Sequence, residues 1–261
     1  MPGNELSVTS FLFENLNKIT LPHIGLVKEL GAPLSSGSFQ IINSSMDIAL
    51  ISTQDASKKA DIYINGVGVS IKQRGSSFSF NRLQRHDLLF VFTELAFSNP
   101  ELTLLQLDRE VDNFHKGLIK KRSRPWRGLF SETDFKKLLE YLMMKGSPNL
   151  GISANPAEYI LEAPASINSS TDIKIFRFDE YFNQTKESLS IAIRRQWIGQ
   201  SSDSEHSRAF GLNRKSGNQP WVYKDISGLP RISKKTGLRW RLDTPENERR
   251  TVYLIFIEKT I

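Results

Sequence analysis

The residues best able to do chemistry together stand close in sequence, in the stretch 58–73, KKADIYINGVGVSIKQ. Asp61 offers a carboxylate, Ser70 a hydroxyl, Lys72 an ammonium and Gln73 an amide, with the Ile71 carbonyl among them. Hydrolysis of a phosphodiester needs one or two hard cations to hold the phosphate and lower the pKa of the attacking water. A positive charge beside the developing oxyanion assists. Magnesium takes oxygen ligands and keeps several waters, so one or two carboxylates and a backbone carbonyl are enough protein for it. On those terms Asp61 is the expected bridging carboxylate and the Ile71 carbonyl a further ligand. Lys72 is the cation that orients or deprotonates water, Gln73 hydrogen-bonds the water or phosphate, and Mg2+ is the cofactor.

These groups converge only if the backbone turns back on itself between them. Residues 61–64 alternate polar and apolar and run into Asn65-Gly66, the dipeptide that most favours a two-residue hairpin turn. Residues 67–73 alternate again, with Val67, Val69 and Ile71 on one side and Gly68, Ser70 and Lys72 on the other. Ahead of the hairpin the pattern predicts short helical pieces at 10–18 and 26–30, with Pro22 as a breaker, and a strand at 46–51. After it come predicted helices at 80–96 and 102–114, and a third that starts on a capping-box-like Ser131-Glu132-Thr133-Asp134 and stops at Gly146. Between 146 and 170 the composition turns to Pro, Asn, Ser and Gly, which marks a boundary or a long loop. Beyond it the period is two, at 172–178, 189–197, 207–213, 220–224 and 251–258. The expected architecture is α/β: a mixed central β-sheet flanked by helices over 1–165, and a strand-rich region over 170–261, either separate or continuous with the first.

Composition narrows the chemistry further. The chain has 261 residues and no cysteine, which removes disulfides, thiolate nucleophiles and zinc-thiolate clusters together. His23, His86, His115 and His206 fall in no metal-ligand spacing, and no Walker-type glycine loop points to ATP. No basic start followed by an apolar run opens the chain, and no apolar stretch nears the roughly 20 residues of a membrane span, so a soluble protein without membrane partners is expected. A net charge of +7 points to an anionic partner. Residues 116–127 hold six basic residues and no acidic one, and 206–250 hold eleven against four. Trp126 lies in the first run, Trp221 and Trp240 in the second, and basic runs with embedded aromatics favour nucleic acid over a membrane surface. Arg74, Arg82, Arg85, Lys121, Arg122 and Arg124 are the expected phosphate contacts. Base reading needs Arg or Lys for guanine and Asn or Gln for adenine. The candidates are Arg194, Arg195, Arg208, Asn213, Arg214, Lys215, Asn218, Gln219, Lys224 and Arg231.

Asp61 followed after eight residues by Ser70-Ile71-Lys72-Gln73 resembles the motif of the PD-(D/E)xK nuclease superfamily, and with a basic, strand-rich second part the chain looks like a type II restriction endonuclease. The resemblance covers about residues 20–97. It departs at two positions: Ala60 stands where the motif's name has proline, and Ser70 where an acid is usual. The resemblance implies Mg-dependent, site-specific cleavage of double-stranded DNA in a prokaryotic cytoplasm, a protecting DNA methyltransferase as functional companion, and a possible homodimer. It also implies a second carboxylate to replace the one missing at Ser70. Glu29 matches the acid that the family carries on a helix before the sheet; Asp87 lies where some Ser-x-Lys enzymes relocate their glutamate, and Glu94 is one turn further. Other readings are a structure-specific repair or junction nuclease of the same superfamily, and a non-catalytic DNA-binding protein in which Asp61 and Lys72 form only a surface ion pair, a contact worth little.

Overall fold

The computed structural model describes residues 4–52, 58–75, 83–115, 123–147, 150–197 and 251–259. In chain order the elements are α1 (Glu5–Glu14), β1 (Thr20–Leu21), β2 (Gly25–Leu26), β3 (Leu30–Pro33), β4 (Phe39–Ile41), β5 (Ile62–Ile64) and β6 (Val67–Gln73). There follow β7 (Leu83–Gln84), α2 (Arg85–Glu94), α3 (Pro100–His115), β8 (Ser123–Pro125), α4 (Glu132–Glu140), β9 (Tyr159–Ala163), β10 (Lys174–Arg177), α5 (Phe178–Thr185), β11 (Leu189–Trp197) and β12 (Thr251–Lys259). The protein is mixed α/β, as expected.

The chain divides into two compact units that interleave in sequence: Met1–Asn81, Lys136–Leu189 and Lys259–Ile261 form the first, Arg82–Phe135 and Ser190–Glu258 the second. This is not the sequential division at 165/170 expected from composition. The Pro- and Asn-rich stretch holds a strand, β9, which pairs antiparallel with β10 through Leu161↔Ile175 and so ties both sides of the expected boundary together.

The first unit is built on a six-stranded sheet in the order β10-β9-β6-β5-β3-β4, antiparallel except where β6 meets β9. Alternation along β6 divides its residues between two faces. Val69 and Ile71 join Ile62, Ile64 and Leu161 in an apolar core completed by Val8 and Leu12 of α1. Gly68, Ser70 and Lys72 take the other face. Phe176 and Ile160 share that second face through their register with Ser70, and Phe176 meets Tyr181 of α5 at 5.9 Å. The second unit holds a four-stranded sheet in the order β7-β12-β11-β8.

The β5–β6 hairpin forms as the sequence predicts. Asn65 and Gly66 both take positive φ (51° and 80°), the pair of left-handed conformations that closes a two-residue turn with the twist of its strands. Asn65 also clasps the approach to β3: its side-chain oxygen accepts from the Lys28 and Glu29 N–H groups, and its amide donates to the Leu26 carbonyl. That clasp explains a correction. The stretch predicted as helix at 26–30 is instead extended, ending β2 and opening β3, because its polar backbone groups are taken by the hairpin tip. Residues predicted as a strand at 46–51 form a 3-10 helix, Asp47–Ser52, whose first turn is held by Asp47 Oδ2 accepting from Asn43 N, Ser44 N and Ser44 Oγ. Glu5 starts α1 earlier than predicted, and α5 was not predicted at all.

Gly68 marks where the chain between α4 and β9 presses on β6. A Cβ there would stand 2.4 Å from the Pro156 carbonyl oxygen, and the Gly68 carbonyl accepts from Glu158 N at 2.8 Å. Gly68→Ala is therefore expected to destabilise the protein by about 1–3 kcal/mol through overpacking, read by urea denaturation. A change within about 0.5 kcal/mol, the ordinary range for a surface substitution, would place Pro156 elsewhere.

Candidate active site on the central hairpin

Asp61 sits one residue before β5, and its carboxylate is fixed by β6. Asp61 N donates to the Val69 carbonyl at 2.9 Å, continuing the hairpin ladder by one step. Its Oδ2 accepts from the Ile71 N–H at 2.6 Å and from the Ser70 hydroxyl at 3.3 Å. Lys72 bends back along its own strand: Nζ donates to Ser70 Oγ at 2.7 Å and to the Ile71 carbonyl at 3.1 Å, and lies 3.9 Å from Asp61 Oδ2. The pair is only partly accessible, with side-chain exposures of 18% for Lys72 and 30% for Asp61, so it is more than a solvated surface contact. Asp61, Ser70, Ile71 and Lys72 are thus brought together as the sequence predicts.

Three oxygens, from Ser70, Ile71 and Asp61, converge on one cation, which here is the Lys72 ammonium. All are hard donors, and an arrangement that already gathers around a positive charge suits a hard divalent ion. Asp61, the Ile71 carbonyl and Ser70 would hold magnesium there. They supply one carboxylate, and among the described residues no group of three His, Asp or Glu side chains is placed to hold a metal.

The second carboxylate that the resemblance implies is not supplied by Glu29. That residue precedes β3 on no helix, and its backbone is bonded to Asn65 at the tip of the hairpin: Asn65 N donates to its carbonyl at 2.9 Å. Asp61 lies at the opposite end, four residues back along the strand, roughly 13 Å at the usual rise of about 3.3 Å per residue. The extended path of 26–33, imposed by pairing of Leu30 with Ile64, carries Glu29 away from the site. Asp87, which pairs with His86 at 3.2 Å, and Glu94 both belong to α2 in the second unit. Gln73 closes β6, and alternation puts it on the face opposite Ser70 and Lys72.

Several expected DNA contacts prove to be engaged within the protein. Arg85 makes a two-pronged pair with Asp108, Nε to Oδ1 at 3.2 Å and Nη2 to Oδ2 at 3.0 Å, and Tyr253 donates to the same carboxylate at 2.5 Å. Asp108 is buried; desolvation raises its pKa against the lowering effect of these partners. Removing either partner of such a buried pair leaves an uncompensated charge, so Arg85 is held to a structural task. Arg124 Nε donates to Glu110 at 2.6 Å. Arg74 donates from Nη2 to the Asp172 carbonyl at 2.9 Å. Trp126 is buried and stacks on Phe135 at 4.5 Å, which makes it core. Arg194 and Arg195 lie on β11, but their side chains fall outside the described residues. So do Arg82, Lys121, Arg122, Arg208, Asn213, Arg214, Lys215, Asn218, Gln219, Lys224 and Arg231.

Two residues that the sequence did not single out position the site. Asn155 is fully buried, and its carbonyl accepts from the Lys59 and Ala60 N–H groups at 3.0 and 2.9 Å. Its side chain accepts from the Tyr63 hydroxyl and donates to the Leu34 carbonyl. The chain is therefore held immediately before Asp61. Lys59 is buried at 6% exposure and donates from Nζ to the Leu142 carbonyl at 2.7 Å. Burial first, then repulsion from Lys72, push its pKa down to about 8 against the attraction of Asp61. Nothing in the local pattern marks these two: an Asn in a Pro/Asn-rich stretch and a Lys in a KK pair both read as surface.

No known family model, curated protein or solved structure matches the chain. Among the described residues no helix is long and apolar enough to cross a membrane.

The depressed Lys59 value has a sign. Its ordinary value is 10.5 and its folded value about 8, so between those limits the unfolded chain binds more protons. The stability this group confers therefore rises with pH across that window and is lowest below it. The stability of the parent relative to Lys59→Met, from urea denaturation at successive pH values, is expected to increase from pH about 8 upward. A flat difference would show that Lys59 is not buried as described.

Proposed function

We propose that this protein is a magnesium-dependent nuclease resembling the PD-(D/E)xK superfamily, with a restriction-endonuclease-like core, that cleaves double-stranded DNA at a specific sequence as a type II restriction endonuclease. The observation that supports it most is the convergence of Asp61, Ser70, the Ile71 carbonyl and Lys72 at the end of a central strand. When bound, magnesium would supply Lewis acidity toward the phosphate and a water of lowered pKa. The chain's own part is to hold that chemistry in register. Asp61 is locked by the Ile71 N–H, so its position does not depend on a flexible loop. Lys72 presents a positive charge beside the site where oxyanion charge develops. Lys59, behind the pair and shielded from water, adds to the positive potential that draws a phosphate in.

The basic runs supply the remaining support. Their share of the net charge of +7 suits the salt-dependent attraction of a duplex, with the C-terminal Arg, Lys, Asn and Gln residues as proposed base readers. The proposed setting is a prokaryotic cytoplasm with a companion methyltransferase.

A plasmid digest with Mg2+ tests the reading. Discrete fragments are expected; nicking confined to junctions or damaged sites would favour a structure-specific nuclease, and no magnesium-dependent cutting would leave a DNA-binding protein. Asp61→Ala and Lys72→Ala are each expected to cut at least on the order of 10²-fold more slowly, the scale of losing one preorganised charge-stabilising group, while duplex affinity by gel shift stays near the parent's. A variant that cuts at close to the parent rate would remove its residue from the proposed site.

A further inference from the structure

Lys72 and a metal ion need the same oxygens. The ammonium holds Ser70 Oγ at 2.7 Å and the Ile71 carbonyl at 3.1 Å, with Asp61 Oδ2 at 3.9 Å. Two cations on one set of donors a few ångströms apart repel strongly, more so where water is partly excluded. Lys72 must therefore have somewhere else to go.

The sheet offers one direction. Toward β5, Lys59 repels Lys72, and its own ammonium is committed to the Leu142 carbonyl. Toward β9, Lys72 is the register partner of Glu162 in the parallel β6–β9 pair. Register partners project from the same face one strand spacing apart, about 4.8 Å, well within the span of a lysine and a glutamate side chain. Two further observations place the Glu162 carboxylate on that face. Lys259 Nζ is 3.5 Å from Oε1, and the same ammonium lies 5.8 Å from the ring centre of Tyr181 on α5, the residue that meets Phe176 there. The Lys259 contact is long for a charge-assisted hydrogen bond, so Glu162 is loosely held and able to take a second cation. Lys174, the other register neighbour of Glu162, is exposed.

We propose that Glu162 is a positioning residue that receives the Lys72 ammonium when a divalent cation takes the Ser70, Ile71 and Asp61 oxygens. Lys72 then has two stations, one that fills the cation site and one that vacates it. This rests on the metal-dependent reading above, and assigns a carboxylate outside the Asp61/Ser70/Lys72 motif to its regulation.

The test is Mn2+ binding to the full-length protein, followed by electron paramagnetic resonance of the free ion, in the parent, Glu162→Gln, Lys72→Met and the double variant. Lys72→Met is expected to tighten binding, because the competing ammonium is gone. Glu162→Gln is expected to weaken it by roughly three- to tenfold with Lys72 present and to change nothing in the Lys72→Met background, the non-additivity of two groups that act through each other. Equal weakening in both backgrounds would make Glu162 a direct ligand and overturn the proposal, as would no effect in either. Should Glu162→Gln lose its fold in a thermal melt, Lys259→Gln serves instead: freeing Glu162 is expected to tighten Mn2+ binding, and unchanged or weaker binding overturns the proposal. If the parent binds Mn2+ no better than Asp61→Asn does, the metal reading itself fails and the proposal falls with it, a pattern distinct from the others.

Discussion

Everything at the candidate site depends on β6 being hydrogen-bonded on both edges, antiparallel to β5 and parallel to β9. A strand so held cannot slip by a residue without sending Val69 and Ile71 out of the α1 core and drawing Ser70 and Lys72 into it. The apolar face thus fixes the polar one. The hydrophobic stabilisation of the first unit acts on the side chains of Val69, Ile71, Ile62 and Leu161, yet its consequence for function is the register of Asp61 against Ile71.

That register would be lost one step before β5 if the chain were free to leave the sheet, since Asp61 lies outside the strand proper. Asn155 prevents this. A buried amide with its hydrogen bonds made is strongly orienting, because each partner left unmatched would carry a desolvation penalty of about 1–3 kcal/mol. Here the bonded groups are the backbone of Lys59 and Ala60, the Tyr63 hydroxyl and the Leu34 carbonyl. One residue from the stretch between α4 and β9 therefore joins the loop before Asp61 to β5 and to the end of β3. Gly68, with Pro156 pressed against it, shows the same stretch packed on β6 itself.

What was legible in the sequence is what local patterning encodes. Alternation and Asn65-Gly66 gave the hairpin its strands, turn and faces, and the contact of Asp61 with Ser70 and Lys72 follows from those alone. The stretch before β3 misled because its helical look was a matter of composition, while its backbone is bonded to Asn65, distant in sequence. β9 was hidden for the opposite reason: five residues, YILEA, in a Pro- and Asn-rich surround carry too short a pattern to announce a strand. Its parallel partner, β6, lies across the Arg82–Phe135 segment of the second unit in sequence. With β9 unseen, Glu162 could not be set beside Lys72, and the acids considered were Glu29, Asp87 and Glu94. The basic residues show a further limit. Residue type assigned Arg85 and Arg124 to DNA, but Asp108 and Glu110, both on α3, already engage them, and helical periodicity gave no sign of that pairing.

A serine at position 70 has an electrostatic consequence for the hairpin. An acid there would balance Lys72 locally; a serine leaves the hairpin itself with two ammonium groups, Lys59 and Lys72, to one carboxylate, Asp61, with Glu162 one strand over on β9. Water screens this excess poorly, since Lys59 is buried and Lys72 largely so. Burial first, and Lys72 second, hold the pKa of Lys59 below its ordinary value against the attraction of Asp61. An anion set against the end of β6 would relieve the excess and favour the charged form of Lys59. A divalent cation entering first would deepen it. On the proposed metal-dependent reading, an anionic partner would therefore arrive before, or together with, the metal.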